Sequence, residues 1–460
     1  MKQFFRVLSV FLVLFIVLSL CSCKNKKDNN SNYEDEYFSI EGDNENSSDA
    51  GDNSATDNEK TNDNKKLPSN GNSANASVNA DDYKAGKNSG SSFYRMDIPS
   101  RVNAYKLSNT YSKLKSNQKV KVAYFGGSVT SGTGSSSENT KSWRAITTKY
   151  ISSLTSGKVT EVNAALGGTG SYLGAARFDN RIISENPDLV FIEFAINDYY
   201  NDISDNQIKA NLEYMIRHLY AKNPYADIII TLVTNTDNLG KQYRSYLAHK
   251  EVADYYNIPI VDLGGELYNR NEGAVSKYFT DNVHPNDEGY KQYGEIMTDA
   301  LKELFVEGSY SKHSMPSGRL FANGYNSLEN VSPSSYIDDK WKHNSWFNDN
   351  NIEKTGSQFR YSTLKNQYPT YVAPKMSGAT FTYSFSGNSF GILGTVKANS
   401  SITVVLDGNK KVIVGTSNEA LLEYPLFENL SNGPHSVTIT ASRSLDEIPQ
   451  VAIAAFVVTN

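Results

Sequence analysis

Cysteine is nearly absent from this 460-residue sequence, and the two that occur, Cys21 and Cys23, both lie near the amino terminus. The rest of the chain therefore has no disulfide framework, no thiolate nucleophile and no cysteine metal site. Histidines spaced as zinc ligands are also missing, so the sequence predicts no metal and no cofactor. It has no block of lysines and arginines, and its net charge of −5 argues against a nucleic-acid partner.

The long apolar run of the sequence lies at its amino terminus. A positively charged start precedes the segment from Val7 to Leu20, which is shorter than the roughly 20 residues that a membrane-spanning helix needs. This pattern predicts a signal peptide over residues 1–22. The run ends in Leu20-Cys-Ser-Cys23, which resembles the lipobox of bacterial lipoproteins and makes Cys23 the candidate for lipidation. An ordinary secretory signal with two incidental cysteines is the alternative.

Residues 23–92 are dominated by Asn, Ser, Asp, Gly and Lys, with almost no large apolar side chains. Such a segment cannot bury enough surface to offset its ordering entropy, so it is predicted to be disordered. As a flexible coil of about 70 residues it would span on the order of 45 Å. The sequence therefore predicts a tether that holds a folded protein at the cell surface, away from the membrane to which Cys23 anchors it.

Residues 93–306 alternate apolar strands with amphipathic helices. The pattern predicts strands at 120–125, 160–166, 188–195, 226–233 and 258–263, and helices at 143–154, 173–183, 206–220, 241–256 and 285–305. Alternating strands and helices imply a parallel sheet flanked by helices, which is an α/β fold.

The first of these strands ends in a glycine turn that presents Ser128. The spacing from Gly127 to Gly132 superficially matches the start of a phosphate-binding loop, but Thr133 stands where that loop needs lysine. A turn without any catalytic role is the other interpretation of these glycines. The polar residues at the remaining strand ends favour a third interpretation, in which Ser128 is a nucleophile.

Those polar residues are Gly168, Asn197, and the pair Asp281 and His284 before the last helix. The carboxyl ends of parallel strands meet at one edge of a sheet, so these residues are predicted to share one rim. A serine nucleophile needs a histidine base and an acid that orients it, which His284 and Asp281 could supply. The backbone N–H groups of Ser128 and Gly168 and the amide of Asn197 could stabilise an oxyanion. A hydrogen bond that merely starts a helix is the alternative for Asp281 and His284.

Four short blocks resemble those of the SGNH or GDSL hydrolases in residue type and chain order. They are Gly126-Gly-Ser128, Asn163-Ala-Ala-Leu-Gly-Gly168, Ala195-Ile-Asn197-Asp198 and Asp281-Asn-Val-His284-Pro285. The resemblance covers roughly residues 115 to 305. Two residues depart from the family pattern: Gly127 replaces the aspartate of the GDSL motif, and Ala195 replaces the glycine usual two residues before the asparagine.

The resemblance implies a flavodoxin-like fold of three layers and a triad with Ser128 as nucleophile, His284 as base and Asp281 as its partner. It also implies an oxyanion hole formed by Ser128, Gly168 and Asn197. Neither departing position carries the proton transfer or donates to the oxyanion. They therefore bear on the subfamily and leave the chemistry in place.

The rest of the sequence predicts a second domain. Residues 307–335 are rich in Ser, Gly, Asn and Pro, which is typical of a linker. Residues 336–460 carry short β runs separated by turns, including Asp407-Gly408 as a hairpin signal, and predict an antiparallel β-sandwich. This part is similar to the galactose-binding-like accessory modules of carbohydrate-active enzymes. Its aromatic side chains could stack on sugars or fill the core: Trp341, Trp346, Tyr361, Tyr368 and Tyr371.

The sequence thus predicts a surface-anchored serine esterase that hydrolyses an ester, with an O-acetyl group on a polysaccharide as the expected target. The predicted partners are an acylated glycan and, through the lipid on Cys23, a membrane. Two alternatives stay open. One is an O-acyltransferase that uses Ser128 with a sugar hydroxyl in place of water. The other is a glycan-binding surface protein whose hydrolase domain is inert.

Overall fold

A computed structural model describes most of the chain after its amino-terminal region. The described residues are 106–238, 243–345, 368, 370–397, 399–415, 420–422, 424–442 and 451–460. The predicted signal peptide, the tether and Cys23 lie outside these residues. None of the helices in the described ranges combines the length and apolar character that a membrane crossing requires.

The first part of the described chain alternates strands with helices. Its strands are β1 (Val120–Gly126), β2 (Val159–Asn163), β3 (Leu189–Glu193), β4 (Asp227–Leu232) and β5 (Ile260–Asp262). Its helices are α1 (Ser108–Lys115), α2 (Ser128–Ser131), α3 (Glu138–Lys141), α4 (Trp143–Ser153), α5 (Ser171–Arg181), α6 (Ala195–Tyr200), α7 (Asp205–Lys222), α8 (Arg244–Tyr256), α9 (Leu263–Arg270) and α10 (Asp287–Leu304).

The strands pair in parallel in the order β2-β1-β3-β4-β5. This is the flavodoxin-like doubly wound order, so the predicted α/β fold is confirmed. Every residue of β3 and β4 is buried, because helices cover both faces of the sheet. Tyr124 of β1 stacks on Phe191 of β3 with ring centroids 4.8 Å apart. The centre of the sheet is therefore densely packed, which fixes the strand ends on which the polar rim depends.

The third strand is shorter than its sequence predicts. The apolar pattern predicts a strand to residue 195, whereas β3 ends at Glu193 and α6 begins at Ala195. Alanine has a low β propensity, and the polar Asn197 and Asp198 follow soon after it, which does not favour further pairing. The consequence is that Asn197 and Asp198 lie in the first turn of a helix at the sheet edge.

The second part of the chain forms an antiparallel β-sandwich, as predicted. Its strands are β6 (Leu328–Val331), β7 (Trp341–Ser345), β8 (Thr370–Pro374), β9 (Ala379–Gly387), β10 (Ser389–Val396), β11 (Ser401–Leu406), β12 (Asn409–Val414), β13 (Ala420–Leu422), β14 (Pro425–Phe427), β15 (Gly433–Ser442) and β16 (Val451–Thr459). One sheet has the order β12-β11-β15-β9, and the other has the order β13-β10-β16-β8-β7, with β14 beside β10 and β6 beside β16. Buried and exposed residues alternate along β9, β11 and β15, which is typical of a sandwich sheet with one wet face.

The segment between the two domains, residues 307–335, is tied to both. Its strand β6 pairs antiparallel with β16 of the sandwich. On the other side, the backbone N–H groups of Leu320 and Phe321 donate to the buried Glu213 carboxylate of α7, at 2.7 and 2.9 Å. The segment that the sequence predicts as a linker therefore makes backbone hydrogen bonds with both domains.

The last strand, β16, is buried on both faces. One face contributes Val451, Ile453, Phe456 and Val458 to the sandwich core. The other face packs against α5 of the first domain, in a cluster formed by Tyr172, Leu173, Ala176, Tyr371, Ala373, Leu393, Ala452, Ala454, Ala455 and Val457. The small alanine side chains let the sheet approach the helix closely, so the sandwich and the first domain share one packed interface.

The aromatic candidates for sugar stacking serve the core where the structure describes them. Trp341 is 2% exposed within the sandwich, and Tyr371 is 1% exposed in the interface with α5. Tyr368 is partly buried, and its hydroxyl donates to Asn330. Trp346 and Tyr361 lie outside the described residues. The packing role therefore accounts for the aromatic residues that can be placed.

The interface generates a stability prediction. A Cβ added at Gly391 of β10 would collide with the hydroxyl group of Tyr172 on α5. Gly391→Ala should therefore lower the free energy of unfolding by about 1–3 kcal/mol through overpacking. Gly433→Ala is the matched control, because a Cβ there meets nothing within 4 Å. Urea unfolding followed by tryptophan fluorescence measures both, and equal losses in the two variants would contradict this packing.

Candidate active site

Ser128 lies at the carboxyl end of β1, as the first residue of the short helix α2, and is 5% exposed. The N–H groups in the first turn of a helix have no acceptor within it, so the Ser128 N–H points out of the turn. The turn itself has little space. A Cβ at Gly127 would collide with the amide oxygen of Asn197. This contact explains why glycine, not aspartate, precedes the serine in this chain.

The structure brings His284 and Asp281 to Ser128. His284 Nε2 lies 2.8 Å from Ser128 Oγ, and its Nδ1 lies 2.7 Å from Asp281 Oδ2. An ionised carboxylate can only accept hydrogen bonds, so Nδ1 carries the proton that donates to Asp281. The neutral ring then leaves Nε2 as the acceptor of the Ser128 hydroxyl proton. The three side chains form one hydrogen-bonded chain that ends at a potential nucleophile.

Asp281 is half exposed yet firmly held. Its Oδ1 accepts from the N–H groups of Val283 and His284, at 2.8 and 2.7 Å. Partial burial acts to raise its pKa, but the hydrogen bonds from the His284 side chain and from both backbone groups outweigh it and lower the pKa below the ordinary value. The carboxylate therefore stays ionised where the imidazole needs it.

The helix α10 that follows has its own cap. Asn286 Oδ1 accepts from the N–H groups of Glu288 and Gly289, at 3.1 and 3.0 Å. Asp281 is thus free of the capping role that the sequence left open as an alternative, and its contacts go to the turn that carries His284.

The two other predicted oxyanion donors are Gly168 and Asn197. Asn197 lies on α6, and residues of α6 and its end bond to the segment that contains Gly168. Gly168 has φ +71°, a left-handed conformation that favours glycine, and its carbonyl accepts from the Asn201 amide at 3.3 Å. Asp198 Oδ1 accepts from the Ser171 N–H at the start of α5, at 2.6 Å. Asn197 is on α6 beside Asp198 and is 9% exposed. The helix that presents Asn197 therefore also fixes the loop of Gly168.

Asp198 also has a buried partner on another helix. Its Oδ2 lies 2.8 Å from His249 Nε2 of α8, and both side chains are fully buried. The contact ties α6 to α8, so Asp198 has a structural role. His249 itself is a fully buried core residue.

A loop after α2 packs on the turn that carries His284. Gly134 has φ +94°, and a Cβ there would lie 2.6 Å from the Pro285 carbonyl and 3.0 Å from His284 Cβ. The Tyr290 hydroxyl donates to the Thr133 carbonyl at 2.7 Å. The segment that follows Ser128 therefore packs against the turn of His284, in addition to the hydrogen bond between the two side chains.

Two buried ionisable side chains lie beneath the nucleophile turn, and no sequence motif predicts a role for either of them. Glu193 Oε2 accepts from the Thr130 hydroxyl at 2.8 Å and from the Gly127 N–H at 3.3 Å. Arg144 donates to the carbonyls of Thr130, Ser131 and Glu138, at 3.4, 3.2 and 3.1 Å. Arg144 also pairs with Glu161. The signal for Glu193 was its position in an otherwise apolar strand.

Within the part of the chain that the structure describes, no three histidine, cysteine or carboxylate side chains come together as they would around a metal ion. The groups that converge at the rim are instead a hydroxyl, an imidazole, a carboxylate and hydrogen-bond donors. Such a set can activate a hydroxyl nucleophile and stabilise an oxyanion, which is the requirement of acyl transfer.

Comparisons with known proteins agree with this chemistry. Residues 124–292 match the GDSL-like lipase/acylhydrolase family, and residues 363–459 match the carbohydrate esterase 2 N-terminal domain. No curated protein matches the sequence significantly.

Solved structures share the two-domain arrangement. A two-domain esterase (CEX) active on acetylated mannans, co-crystallised with mannopentaose, has a TM-score of 0.64 at 18% identity, over 78% of this chain and 96% of that one. A second structure of a two-domain esterase (CEX) active on acetylated mannans has a TM-score of 0.62 at 19% identity, over 77% and 95% of the two chains. At this identity the likeness shows a common fold.

Proposed function

Since this chain is an esterase that joins a GDSL-like lipase/acylhydrolase domain, residues 124–292, to a carbohydrate esterase 2 N-terminal domain, residues 363–459, we propose that it removes acetyl groups from a polysaccharide by serine catalysis. The observation that carries the proposal is the hydrogen-bonded chain from Asp281 through His284 to Ser128. It lies at the rim of the sheet to which Gly168 and Asn197 also belong.

In the first half of the reaction Ser128 Oγ attacks the carbonyl carbon of the acetyl ester while His284 Nε2 takes the hydroxyl proton. Asp281 stabilises the imidazolium that forms. The carbonyl oxygen becomes negatively charged and accepts hydrogen bonds from the N–H groups of Ser128 and Gly168 and from the Asn197 amide. The intermediate collapses when His284 returns the proton to the sugar oxygen, which leaves as an alcohol.

In the second half a water molecule takes the place of the sugar. His284 removes a proton from the water, and the hydroxide attacks the carbonyl carbon of acetyl-Ser128. The same donors stabilise the second oxyanion. Its collapse breaks the bond to Oγ, His284 returns the proton to Ser128, and acetate is released.

The proposed substrate class is inferred from the combination of the two domains in one chain. The second domain matches a family named for carbohydrate esterases, and the two-domain esterase of similar fold acts on acetylated mannans. The sequence has no long apolar segment in either domain that could serve as a lipase lid. An acetylated glycan therefore fits this chain better than a lipid ester.

Removal of the nucleophile tests the proposal. Ser128→Ala should lower the turnover of p-nitrophenyl acetate and of an acetylated mannan oligosaccharide by several orders of magnitude, because no other hydroxyl is bonded to the base. His284→Ala should be as damaging, since nucleophile and base act as one unit. Acetate release measures both.

The matched control is Ser131→Ala on the same short helix, whose hydroxyl donates to the exposed Glu138. It should keep full activity. Undiminished turnover in Ser128→Ala would refute the serine mechanism. A parent enzyme without turnover on either ester would favour the hypothesis of an inert hydrolase domain.

Asn197→Ala tests the oxyanion hole separately from the base. It removes one donor to the oxyanion but leaves Ser128 and His284 able to exchange a proton, so it should cost about 3 kcal/mol of transition-state stabilisation. We expect kcat to fall roughly 100-fold to 1,000-fold with little change in KM. Asn180→Ala, on the exposed side of α5, is the control. A raised KM with an unchanged kcat would make Asn197 a substrate-holding residue instead.

We also propose that the enzyme is a surface lipoprotein anchored through Cys23. The support is the apolar run that ends in Leu20-Cys-Ser-Cys23, followed by the polar stretch of residues 23–92. Cys23→Ala should abolish incorporation of a labelled fatty acid and release the protein into the medium. Cys21→Ala should keep both the label and the anchor. A parent protein that takes up no label, or a label lost in Cys21→Ala instead, would contradict the assignment.

A further inference from the structure

The mechanism leaves one buried carboxyl group without a role. Glu193 is the last residue of β3 and is fully buried. Its Oε2 accepts from the Gly127 N–H at 3.3 Å and from the Thr130 hydroxyl at 2.8 Å. These two residues lie one position before and two positions after Ser128 in the chain. A single carboxyl group therefore holds both sides of the turn that carries the nucleophile.

The contact is tightly enclosed. A Cβ at Gly126 would lie 2.5 Å from both the Glu193 carbonyl and the Thr130 hydroxyl, and 2.9 Å from Glu193 Oε2. Thr130 is fully buried. Glu193 Oε1 has no hydrogen-bond partner among the described residues. The carboxyl group thus meets the turn directly, in a space where a charge would have little compensation.

The groups that face Glu193 do not neutralise it. Asp198 approaches from α6 and adds like charge. Tyr290 and Tyr293 of α10, and Tyr243 ahead of α8, interact with it electrostatically and carry no positive charge.

Arg144 of α4 is a buried cation that contacts the same turn. Its guanidinium group bonds the Thr130 carbonyl and pairs with Glu161, so its charge is already matched. No salt bridge to Glu193 occurs in the described part of the chain. Burial is the main cause that raises the pKa of Glu193 to about 8, against the opposing hydrogen bonds from Thr130 and Gly127.

We propose that Glu193 is a positioning residue that, as an uncharged carboxyl group, fixes the turn of Ser128 and keeps negative charge away from the oxyanion site. The inference rests on the proposed esterase function. The proposed role has two parts, a positioning effect and a charge effect. The hydrogen bonds to Gly127 and Thr130 hold the Ser128 N–H and hydroxyl in place. The neutral state matters because the oxyanion that forms next to this turn would be repelled by a buried carboxylate.

The charge state of Glu193 determines the direction in which esterase activity should change with pH. The folded pKa of Glu193 is raised, so the group is neutral at neutral pH and becomes a carboxylate above about pH 8. Esterase turnover should therefore fall on the alkaline side as Glu193 ionises.

The test compares isosteric and truncated variants at this position. Glu193→Gln keeps an acceptor oxygen for Gly127 and Thr130 but cannot ionise. We expect it to retain most of the neutral-pH kcat and to lose the alkaline decline of the wild type. Glu193→Ala removes the acceptor, and we expect kcat to fall roughly 10-fold to 100-fold with little change in KM, because the nucleophile is misplaced. Glu138→Gln, an exposed carboxylate near the same turn, should leave the pH profile unchanged.

Two further measurements test the role of Glu193 without relying on a variant that could misfold or on enzyme activity. Thr130→Ser keeps the hydroxyl donor and should behave as wild type, whereas Thr130→Val should resemble Glu193→Ala. The infrared band of a protonated carboxyl group, present in the Ser128→Ala background and absent from the Ser128→Ala, Glu193→Gln protein, should titrate near pH 8. Circular dichroism across the same pH range monitors the fold.

The outcomes separate this inference from the proposed function. If Ser128→Ala abolishes hydrolysis but Glu193→Gln keeps the alkaline decline, the esterase stands and the role of Glu193 as a neutral group is wrong. Equal losses of kcat in Glu193→Gln and Glu193→Ala would also overturn it, as would an infrared band that titrates near the ordinary range of a glutamate. If the wild type hydrolyses no ester, the proposed function fails, and the infrared titration still decides the charge state of Glu193.

Discussion

The site depends on a close contact at the end of the central strand, where two glycines leave no space for side chains. On one side of the turn Gly126 lies against Glu193 and Thr130, and on the other side Gly127 lies against the Asn197 amide. Any larger residue at either position would push apart the elements that meet at Ser128. The turn can be this tight because β1 lies between β2 and β3 in the sheet, and helices cover both faces.

A series of contacts links this turn, through α6, to the second domain. Asn197 and Asp198 are neighbours on α6, and Asp198 holds the Ser171 N–H at the start of α5. Tyr172, the next residue of α5, packs against the sandwich. The Gly168 loop, which α6 holds, therefore leads directly into α5, the helix on which the second domain docks. A Cβ at Gly391 would collide with Tyr172, so the sandwich packs closely against the helix that follows the Gly168 loop.

The sequence was sufficient for the architecture and for the side chains that meet at the rim, because both follow local rules. Apolar periodicity located the strands of the parallel sheet, and parallel strands bring their carboxyl ends to one edge. Ser128, His284 and Asp281 could be named from residue type and order. The sequence could not show that Asn286, not Asp281, caps α10, since either residue can accept from nearby N–H groups.

Interactions between distant segments were also beyond the sequence. The double burial of β16 follows from a docking partner some 280 residues away, so its alanines carried no local signal. Similarly, nothing in the composition of residues 307–335 indicated that Glu213 would bind the backbone there. Such contacts depend on tertiary packing, which overrides composition.

Two carboxyl groups near Ser128 show how strongly the surroundings set the charge of one chemical group. Asp281 lies in a half-exposed turn where N–H groups and the imidazole donate to it, and its pKa is lowered. Glu193 lies in the packed centre with one hydroxyl and one N–H, and its pKa is raised to about 8. In the proposed mechanism the ionised Asp281 can therefore stabilise an imidazolium on His284, whereas the carboxyl group beneath the Ser128 turn is uncharged at neutral pH. Both charge states suit the proposed reaction, which develops positive charge on His284 and negative charge beside the Ser128 turn.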